Sequence, residues 1–206
     1  MCPVRAHVIV LAGPSGAGKS RLAERLGLPV LRLDDFYKQG DDPTLPRITH
    51  RANAGLVDWD HTDSWNRAAA LTAIAELCCS GHTDVPVYDI SSSRTTGTQA
   101  LGLGDGTAFV AEGIFAQDIV EECRERDFLA QAVCVTQHPL LTFVRRLRRD
   151  LAERRKPPLV LVRRGWHLMR AQRRIVDAAR AVGCRVLTAD QAHAELSRSF
   201  ARRSAE

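Results

Sequence analysis

The stretch "HVIVLAGPSGAGKS", residues 7–20, carries the strongest pattern in this chain of 206 residues. Its first part, His7–Ala12, is an apolar run that predicts a buried strand, and the residues from Ser20 to Leu28 predict a helix. Between them "GPSGAGKS" fits G-x-x-x-x-G-K-[ST], which is a phosphate-binding pattern when a strand precedes it and a helix follows. A glycine-rich turn with an accidental match is the alternative, and the flanking strand and helix argue against it.

The residue types in this loop suit phosphate binding for physical reasons. The glycines allow backbone N–H groups to turn inward around phosphate oxygens, and the start of the helix directs free N–H groups and its dipole at the same anion. Lys19 would place a positive charge on the β- and γ-phosphates, and the Ser20 hydroxyl can ligate Mg²⁺. The nucleotide-binding residues predicted in the loop are Gly13, Ser15, Gly16, Ala17, Gly18, Lys19 and Ser20.

Outward from the loop, apolar runs alternate with helical patterns along the chain. Further strands are predicted at residues 30–33, 85–88, 108–112 and 132–136 and within "CRVLTA" at 184–189. Further helices are predicted at residues 63–79, 116–126, 139–155, 159–181 and 190–203, and loops at 38–62 and 91–106. Strands separated by helices predict an α/β fold with a parallel sheet covered on both faces. Such sheets bind ligands at the carboxyl ends of their strands.

Acidic residues follow two of these strands. "VLRLDD" ends in Asp34 and Asp35, and "FVAEG" places Glu112 before Gly113. An enzyme that transfers a phosphoryl group needs an acid aimed at the acceptor hydroxyl, and Asp34 suits that role because it closes a strand. In a loose transition state such an acid mainly orients the hydroxyl and collects its proton late. Exposed strand-end acids or a helix N-cap are the other interpretation, which stays open above all for Asp35.

Composition limits the class of protein. The chain is 45% hydrophobic and 26% charged with a net charge of +5, which suits one globular domain. No apolar run reaches the roughly 20 residues of a membrane span, and we read the apolar start as a buried strand rather than a signal peptide. The six cysteines have no C-x-x-C spacing, which favours reduced thiols in a cytoplasmic protein over disulfides or a zinc site.

An arginine-rich helix is predicted at residues 139–155. Arg145, Arg148 and Arg149 share one side at i, i+3, i+4 spacing, and in a phosphate-transfer enzyme such a group can insert an arginine beside the γ-phosphate. A solvated basic face and a nucleic-acid surface are the alternatives. Asp150 and Glu153 interrupt the basic run and aromatic residues are few, which argues against nucleic acid.

In combination, these segments resemble the uridine–cytidine kinase family of P-loop kinases and, more loosely, the phosphoribulokinases. The likeness spans about residues 7–156 and rests on segments in the family's order: "GPSGAGKS", "LDDFYK", "DWDHTDSW" (58–65), "VPVYDISSSR" (85–94), "FVAEGIFA" (109–116) and "RRLRRDLAERR" (145–155). The resemblance implies a single P-loop kinase domain over residues 1–206, with an acceptor-binding insertion at about 36–106 and a lid at about 145–158. It also implies ATP and Mg²⁺ as cofactors, and a small nucleoside-like alcohol as acceptor.

The resemblance also implies a role for individual residues. Asp34 would be the general base facing the 5′-hydroxyl, with Ser20 and Glu112 supporting Mg²⁺ and Asp34 nearby. Asp60 would accept hydrogen bonds from ribose hydroxyls, and Tyr37 and Tyr88 would line the nucleoside pocket. Arg145, Arg149 and Arg154 would belong to the lid, with Arg149 acting in catalysis alongside Lys19. Another interpretation of "DHTDS" is a helix N-terminus capped by Thr62 or Asp63, and Trp59 and Trp65 fit the core better than a stacking surface.

The sequence departs from the family where the base is recognised. Family members usually carry a histidine between the Tyr-Asp and the Arg of the fourth segment, whereas "YDISSSR" has serine there and is one residue shorter. The acceptor could therefore be another alcohol, such as a sugar phosphate, a vitamin or an antibiotic, met by Arg94 and the serine-rich turn. A non-catalytic nucleotide-binding regulator is the hypothesis from another class.

Overall fold

The computed structural model of the chain describes residues 3–49, 54–137 and 173–203. Its strands are β1 His7–Ala12, β2 Val30–Arg32, β3 His82–Asp89, β4 Arg94–Gly102, β5 Ala108–Glu112, β6 Leu129–Val135 and β7 Arg185–Leu187. Its helices are α1 Lys19–Leu26, α2 Arg67–Ser80, α3 Val120–Glu125, the helical residues 173–181 (α4) and α5 Ala189–Arg203. Short 3-10 turns lie at Leu33–Phe36, Thr62–Ser64 and Ala116–Ile119.

A parallel sheet organises the fold and confirms the predicted α/β class. Its five strands run in the order β2-β5-β1-β6-β7, and each neighbouring pair is parallel. β1 therefore lies at the centre, with β5 on one side and β6 on the other. Because all strands point the same way, the segments that follow β1, β2 and β5 leave the sheet at one edge.

The side chains of β1 divide between two hydrophobic cores. Val8, Val10 and Ala12 face a core that α2, α3 and α4 close, whereas Ile9 and Leu11 face a second core closed by α1 and α5. These β1 residues are at most 1% exposed. This burial on both faces explains why the strand reads as a continuous apolar run.

A β-hairpin outside the main sheet corrects the sequence prediction. Residues 91–106 were expected to be a loop, but Arg94–Gly102 form β4, which pairs with β3 in an antiparallel two-stranded sheet. β4 is mostly exposed, so its sequence shows no apolar alternation. The strand is stabilised by pairing with β3. Its composition, rich in Thr, Gly and Gln, does not predict that pairing.

The start of α2 also differs from the prediction. Thr62 and Asp63 do not cap this helix, because the chain first makes a 3-10 turn whose N-cap, His61, accepts a hydrogen bond from the Asp63 N–H. The helix begins at Arg67, and the Asn66 side chain caps it by accepting from the Ala69 N–H at 3.1 Å. Asn is a preferred N-cap residue, and the cap of α2 lies three residues after Asp63 and four after Thr62.

The cysteines follow the prediction only in part. Cys78, Cys123, Cys134 and Cys184 are free and buried, but Cys79 is disulfide-bonded, so the expectation of reduced thiols is wrong at that position. Spacing along the chain gave no sign of this bond, because the approach of two cysteines depends on the fold. None of the helices in the described ranges is long and apolar enough to cross a bilayer.

Candidate active site

The glycine loop packs tightly against the end of β6. A Cβ atom at Gly13 would lie 2.3 Å from the carbonyl oxygen of Val135, and Gly13 has a φ of 129°. Gly16 and Gly18 have φ values of 82° and 101°, which side chains disfavour. Glycine suits these three positions for conformational or steric reasons, and the motif predicts it at Gly13 and Gly18.

The N-terminus of α1 directly follows this loop. Gly18 precedes the first helical residue and supplies no side-chain cap, and the first turn of α1 carries no acidic residue. Since the first N–H groups of a helix need acceptors, this terminus suits an anion such as a phosphate.

Lys19 is buried within the loop. Its residue is 6% exposed, and its ammonium Nζ donates to the carbonyl oxygens of Gly13 at 2.8 Å and Pro14 at 3.3 Å. A buried cation of this kind raises the positive electrostatic potential at the glycine loop and favours a polyanionic ligand.

Two of the predicted metal-binding residues touch each other. Ser20 lies in the first turn of α1 and Glu112 ends β5, where it is 8% exposed; the Ser20 hydroxyl donates to Glu112 Oε1 at 2.9 Å. The described residues contain no cluster of three His, Cys, Asp or Glu side chains suited to a metal. One hydroxyl and one carboxylate nevertheless fit Mg²⁺, which keeps several waters and substrate phosphates in its shell.

Asp34 lies at the same sheet edge, one strand away. It follows β2, where Arg32 pairs in register with Glu112, and its Oδ1 accepts a hydrogen bond from the Ile114 N–H at 3.2 Å. The contact needs a glycine at 113, because a Cβ atom there would lie 2.8 Å from the Leu33 Cβ and 3.0 Å from Asp34 Oδ1. The structure thus brings Asp34, Glu112 and Ser20 to one edge, as the sequence suggested.

Asp35 is a residue of this site that the sequence analysis treated as a candidate surface acid. Its side chain is only 14% exposed, with Arg32 Nε at 3.9 Å from its Oδ2. Burial raises the pKa of Asp35, Arg32 lowers it, and the negative charges of Asp34 and Glu112 raise it further. The signal for its burial was the neighbouring Phe36, which is 5% exposed and fixes the turn against the core.

Four aromatic residues pack together next to the turn that carries Asp34. We call these residues, Tyr37, Trp59, Tyr88 and Phe115, the aromatic wall. The ring of Tyr37 lies 5.8 Å from Trp59, 5.8 Å from Tyr88 and 6.1 Å from Phe115. The Tyr37 hydroxyl donates to the Trp59 carbonyl oxygen at 3.3 Å. The structure therefore brings together both tyrosines predicted for the acceptor pocket, and it adds Trp59 and Phe115 to them.

Trp65, Trp59 and Asp60, the three other residues named in this segment, lie in different surroundings. Trp65 is a core residue, 4% exposed, and its indole N–H donates to the Leu33 carbonyl oxygen at 2.8 Å. Trp59 is half-buried in the aromatic wall instead of the core. Asp60 follows it on the surface, with its N–H donating to Asp58 Oδ1 at 3.2 Å.

The arginines fall into two groups. Arg94 begins β4 and pairs through Nη2 with Asp41 Oδ2 at 2.8 Å, both side chains being well exposed. The predicted lid residues Arg145, Arg149 and Arg154, and the helix predicted at 139–155, lie outside the described residues.

Comparison with known proteins decides the family. A uridine kinase from Deinococcus deserti is 32% identical to the chain over 163 residues, which cover 75% of this chain and 73% of the relative. The chain belongs to the uridine kinase family. A uridine kinase from Lactobacillus johnsonii is 25% identical over 158 residues, which cover 73% of this chain and 70% of that relative. No protein-family model matches this kinase.

A solved structure agrees on the fold of the kinase. A protein from Silicibacter sp., provisionally named a fructose transport system kinase, superposes with a TM-score of 0.58 at 19% identity. The superposition covers 90% of this kinase and 88% of that chain. At this identity the likeness concerns the fold alone, which is that of a P-loop kinase.

Proposed function

We propose that this P-loop kinase transfers the γ-phosphate of ATP to a hydroxyl of a nucleoside-like alcohol, with Mg²⁺ as the cofactor. The single observation that carries the proposal is the position of Asp34. Its carboxylate is held by the Ile114 N–H at the same sheet edge as the Ser20–Glu112 pair and the glycine loop. An acid in that position can face an acceptor hydroxyl while the loop holds the triphosphate.

The nucleotide half of the site has the donors that ATP requires. The loop N–H groups, the open start of α1 and the Lys19 ammonium would hold the β- and γ-phosphates. Ser20 Oγ and Glu112 Oε1 would hold Mg²⁺, which when bound neutralises charge developing on the phosphate oxygens. Arg145, Arg149 and Arg154 would close on the phosphates as a lid, as in the family that the sequence resembles.

Asp34 would orient the acceptor hydroxyl and accept its proton as the new P–O bond forms. Only one oxygen of the carboxylate, Oδ1, is used by the Ile114 N–H, and a carboxylate has lone pairs on both. The fixed oxygen sets the direction of the group, and the second oxygen can meet the hydroxyl. Assistance of this kind is typically worth about 10²–10⁴-fold in rate.

The acceptor would lie against the aromatic wall. Tyr37 directly follows the turn that carries Asp34, and its ring lies 5.8 Å from that of Tyr88, so either ring could pack on an acceptor whose hydroxyl faces Asp34. Asp60, next to Trp59, would accept hydrogen bonds from ribose hydroxyls. The relatives named uridine kinase support a nucleoside as that acceptor, and we place the reaction in the cytoplasm.

One feature favours a second acceptor class. Where the family carries a base-reading histidine, this chain has Ser91–Ser93, and the hydroxyls of Ser91 and Ser92 are turned toward Asp89. A site without a polar reader discriminates weakly among bases. A sugar phosphate or another alcohol, met by Arg94, is therefore the runner-up acceptor.

Replacement of Asp34 tests the proposal. Asp34→Asn keeps the shape of the side chain and removes its charge, so acceptor-dependent ADP release should fall by about 10²–10⁴-fold while ATP binding persists. Release of ADP is measured over a panel of nucleosides and sugar phosphates, and ATP binding by calorimetry.

Asp105→Asn is the matched control, because Asp105 is exposed in the turn before β5, at the opposite end of that strand from Glu112. It should leave both quantities unchanged. ATP binding by the unaltered protein without acceptor-stimulated turnover would instead support the non-catalytic regulator.

A further inference from the structure

The tip of the β3–β4 hairpin is fastened to the chain segment that follows the aromatic wall. We call residues 38–41 together with residues 88–95 the clamp. Its bonds are the Gly40 N–H to the Ser93 carbonyl oxygen at 2.8 Å, the Thr95 N–H to Gln39 Oε1 at 3.1 Å, the Tyr88 hydroxyl to the Lys38 carbonyl oxygen at 3.1 Å, and Arg94 to Asp41 at 2.8 Å. Three of the four are hydrogen bonds that involve backbone atoms, so they fix the path of both segments and not only their side chains.

The contact between Gly40 and Ser93 is unusually close. A Cβ atom at Gly40 would lie 3.0 Å from the Ser93 Cβ and 3.2 Å from its carbonyl oxygen. Ser93 itself has a φ of 54°, a left-handed conformation that is uncommon for serine. Backbone strain of this kind persists where the surroundings over-determine it, and it clusters at functional sites.

Ser91 and Ser92 donate hydrogen bonds within the turn that joins β3 to β4. The Asp89 carboxylate accepts from the Ser91 N–H at 2.9 Å, from the Ser91 hydroxyl at 2.8 Å and from the Ser92 hydroxyl at 2.7 Å. A hydroxyl has one proton to donate, so these two serines hold the turn rather than donate to an acceptor molecule. These internal hydrogen bonds hold the turn between β3 and β4 in one conformation.

The clamp connects directly to the aromatic wall at two points. Tyr37 immediately precedes residue 38, and Tyr88 contributes both a ring to the wall, 5.8 Å from that of Tyr37, and a hydroxyl to the clamp. Tyr37 is also bridged to Trp65, whose indole is bonded to Leu33 beside Asp34. A shift of the clamp would move Tyr37 and Tyr88 relative to the carboxylate.

We propose that the clamp is a specificity-determining element, in which Gly40 and Ser93 are positioning residues that fix the aromatic wall at a set distance from Asp34. The inference rests on the proposed function and deepens it. The clamp sets the affinity for the acceptor alcohol by holding the wall rigid, and it leaves ATP binding untouched because none of its four bonds involves residues 13–20 of the glycine loop.

Gly40→Val tests the clamp, with Gly97→Val as the matched control. The side chain added by Gly40→Val would meet Ser93, whereas a Cβ atom at Gly97, in β4 of the same hairpin, meets nothing within 4 Å. We expect Gly40→Val to raise the KM for the best acceptor about tenfold to a hundredfold, with the KM for ATP unchanged. Gly97→Val should change neither. Equal effects of the two variants on acceptor KM would overturn the proposal.

Two further variants separate positioning from stability. Ser93→Gly removes the side chain that the new valine meets and permits the left-handed backbone, so adding it to Gly40→Val should recover part of the lost acceptor affinity. Gln39→Ala removes the acceptor of the Thr95 N–H and should raise acceptor KM even if Gly40→Val fails to fold. A parallel loss of ATP affinity in Gln39→Ala, or no rescue by Ser93→Gly, would contradict the clamp.

Hydrogen exchange distinguishes a failed clamp from a failed function. The Gly40 and Thr95 amides should be protected in the unaltered protein and should exchange faster in Gly40→Val, whatever the acceptor. If no acceptor in the panel stimulates ADP release, the proposed function fails, and with it the specificity role. If these amides are unprotected in the unaltered protein, the clamp itself is refuted.

Discussion

Gly113, which has no side chain, allows the carboxylate of Asp34 to take its position at the end of β2. The chain passes from Glu112 to Ile114 so close to the end of β2 that Leu33 and Asp34 occupy the space a side chain would need. The Asp34 carboxylate can therefore reach the Ile114 N–H. The distance between the proposed base and the Ser20–Glu112 pair depends on this absence of a Cβ atom.

Gly113→Ala should consequently lower turnover without removing any functional group. The added methyl would displace Leu33 or Asp34, and a displacement near 1 Å can cost about 10²-fold in kcat. The kcat for acceptor-dependent ADP release is the measurement, with ATP affinity expected to stay unchanged. Gly102→Ala is the control, since a Cβ atom there meets nothing within 4 Å; equal kcat values for the two variants would contradict the argument.

At this scale the sequence predicted residues by their place in a motif or at the end of a strand. Lys19, Ser20, Asp34 and Glu112 were predicted in that way; Lys19 lies within the glycine loop, Ser20 touches Glu112, and Asp34 follows the strand next to Glu112. Gly40 and Gly113 were not found, because their importance comes from close approach to residues distant in the chain. No local pattern reports such an approach.

The β3–β4 turn is an element whose own hydrogen bonds change its acidity. Bonds from the Ser92 hydroxyl, then from the Ser91 hydroxyl and N–H, lower the pKa of Asp89 to about 2. Because the folded pKa is below the unfolded value, the turn gains stability from Asp89 above its ordinary pKa near 3.8. That contribution is lost as the pH falls from there toward 2.

A carboxyl titration followed by NMR should accordingly give Asp89 a midpoint of about 2. Ser92→Ala removes the largest of the bonds and should raise the midpoint toward 3.8. Thr98→Ala, in β4 of the same hairpin, is the control and should leave it unchanged. A midpoint near 3.8 in the unaltered protein would mean that the turn does not hold in solution.

Elements with apolar periodicity were predicted well, and the hairpin was not. The bounds predicted for β1 and β5 are those of the structure, since both strands are buried on two faces. β4 gains its order from cross-strand pairing, and pairing between segments cannot be seen in either segment alone.

Among the described residues, two hydrophobic cores lie on opposite faces of the parallel sheet. The second core is closed by α1 and α5, and Leu196 of α5 is fully buried in it. α5 also meets α1 through the Arg25–Asp190 pair at 2.7 Å, which adds little because Asp190 is exposed. The apolar contacts of α5 with the second core therefore contribute most of the free energy that keeps α5 packed on the sheet.

Leu196→Ala should lower the free energy of unfolding by about 2–5 kcal/mol, the usual result of removing a buried leucine. Leu56→Ala is the control, because Leu56 is 59% exposed and should change stability by no more than about 0.5 kcal/mol. Denaturant titrations of both variants give the comparison. A similar small change in both would show that α5 is not part of the cooperative core.

At the largest scale the parallel sheet with helices on both faces followed from the alternation of strands and helices. The strand order β2-β5-β1-β6-β7 did not follow from it, because the order depends on where each crossover lands. The sequence also could not reveal that the hairpin stands apart from the sheet.

That separation has an evolutionary meaning. Since β3 and β4 lend no strand to the main sheet, substitutions at the exposed positions of β4 leave the hydrogen bonds among the five parallel strands in place. Related enzymes could therefore differ in this exposed strand, and in the molecule it meets, while they keep the same parallel sheet.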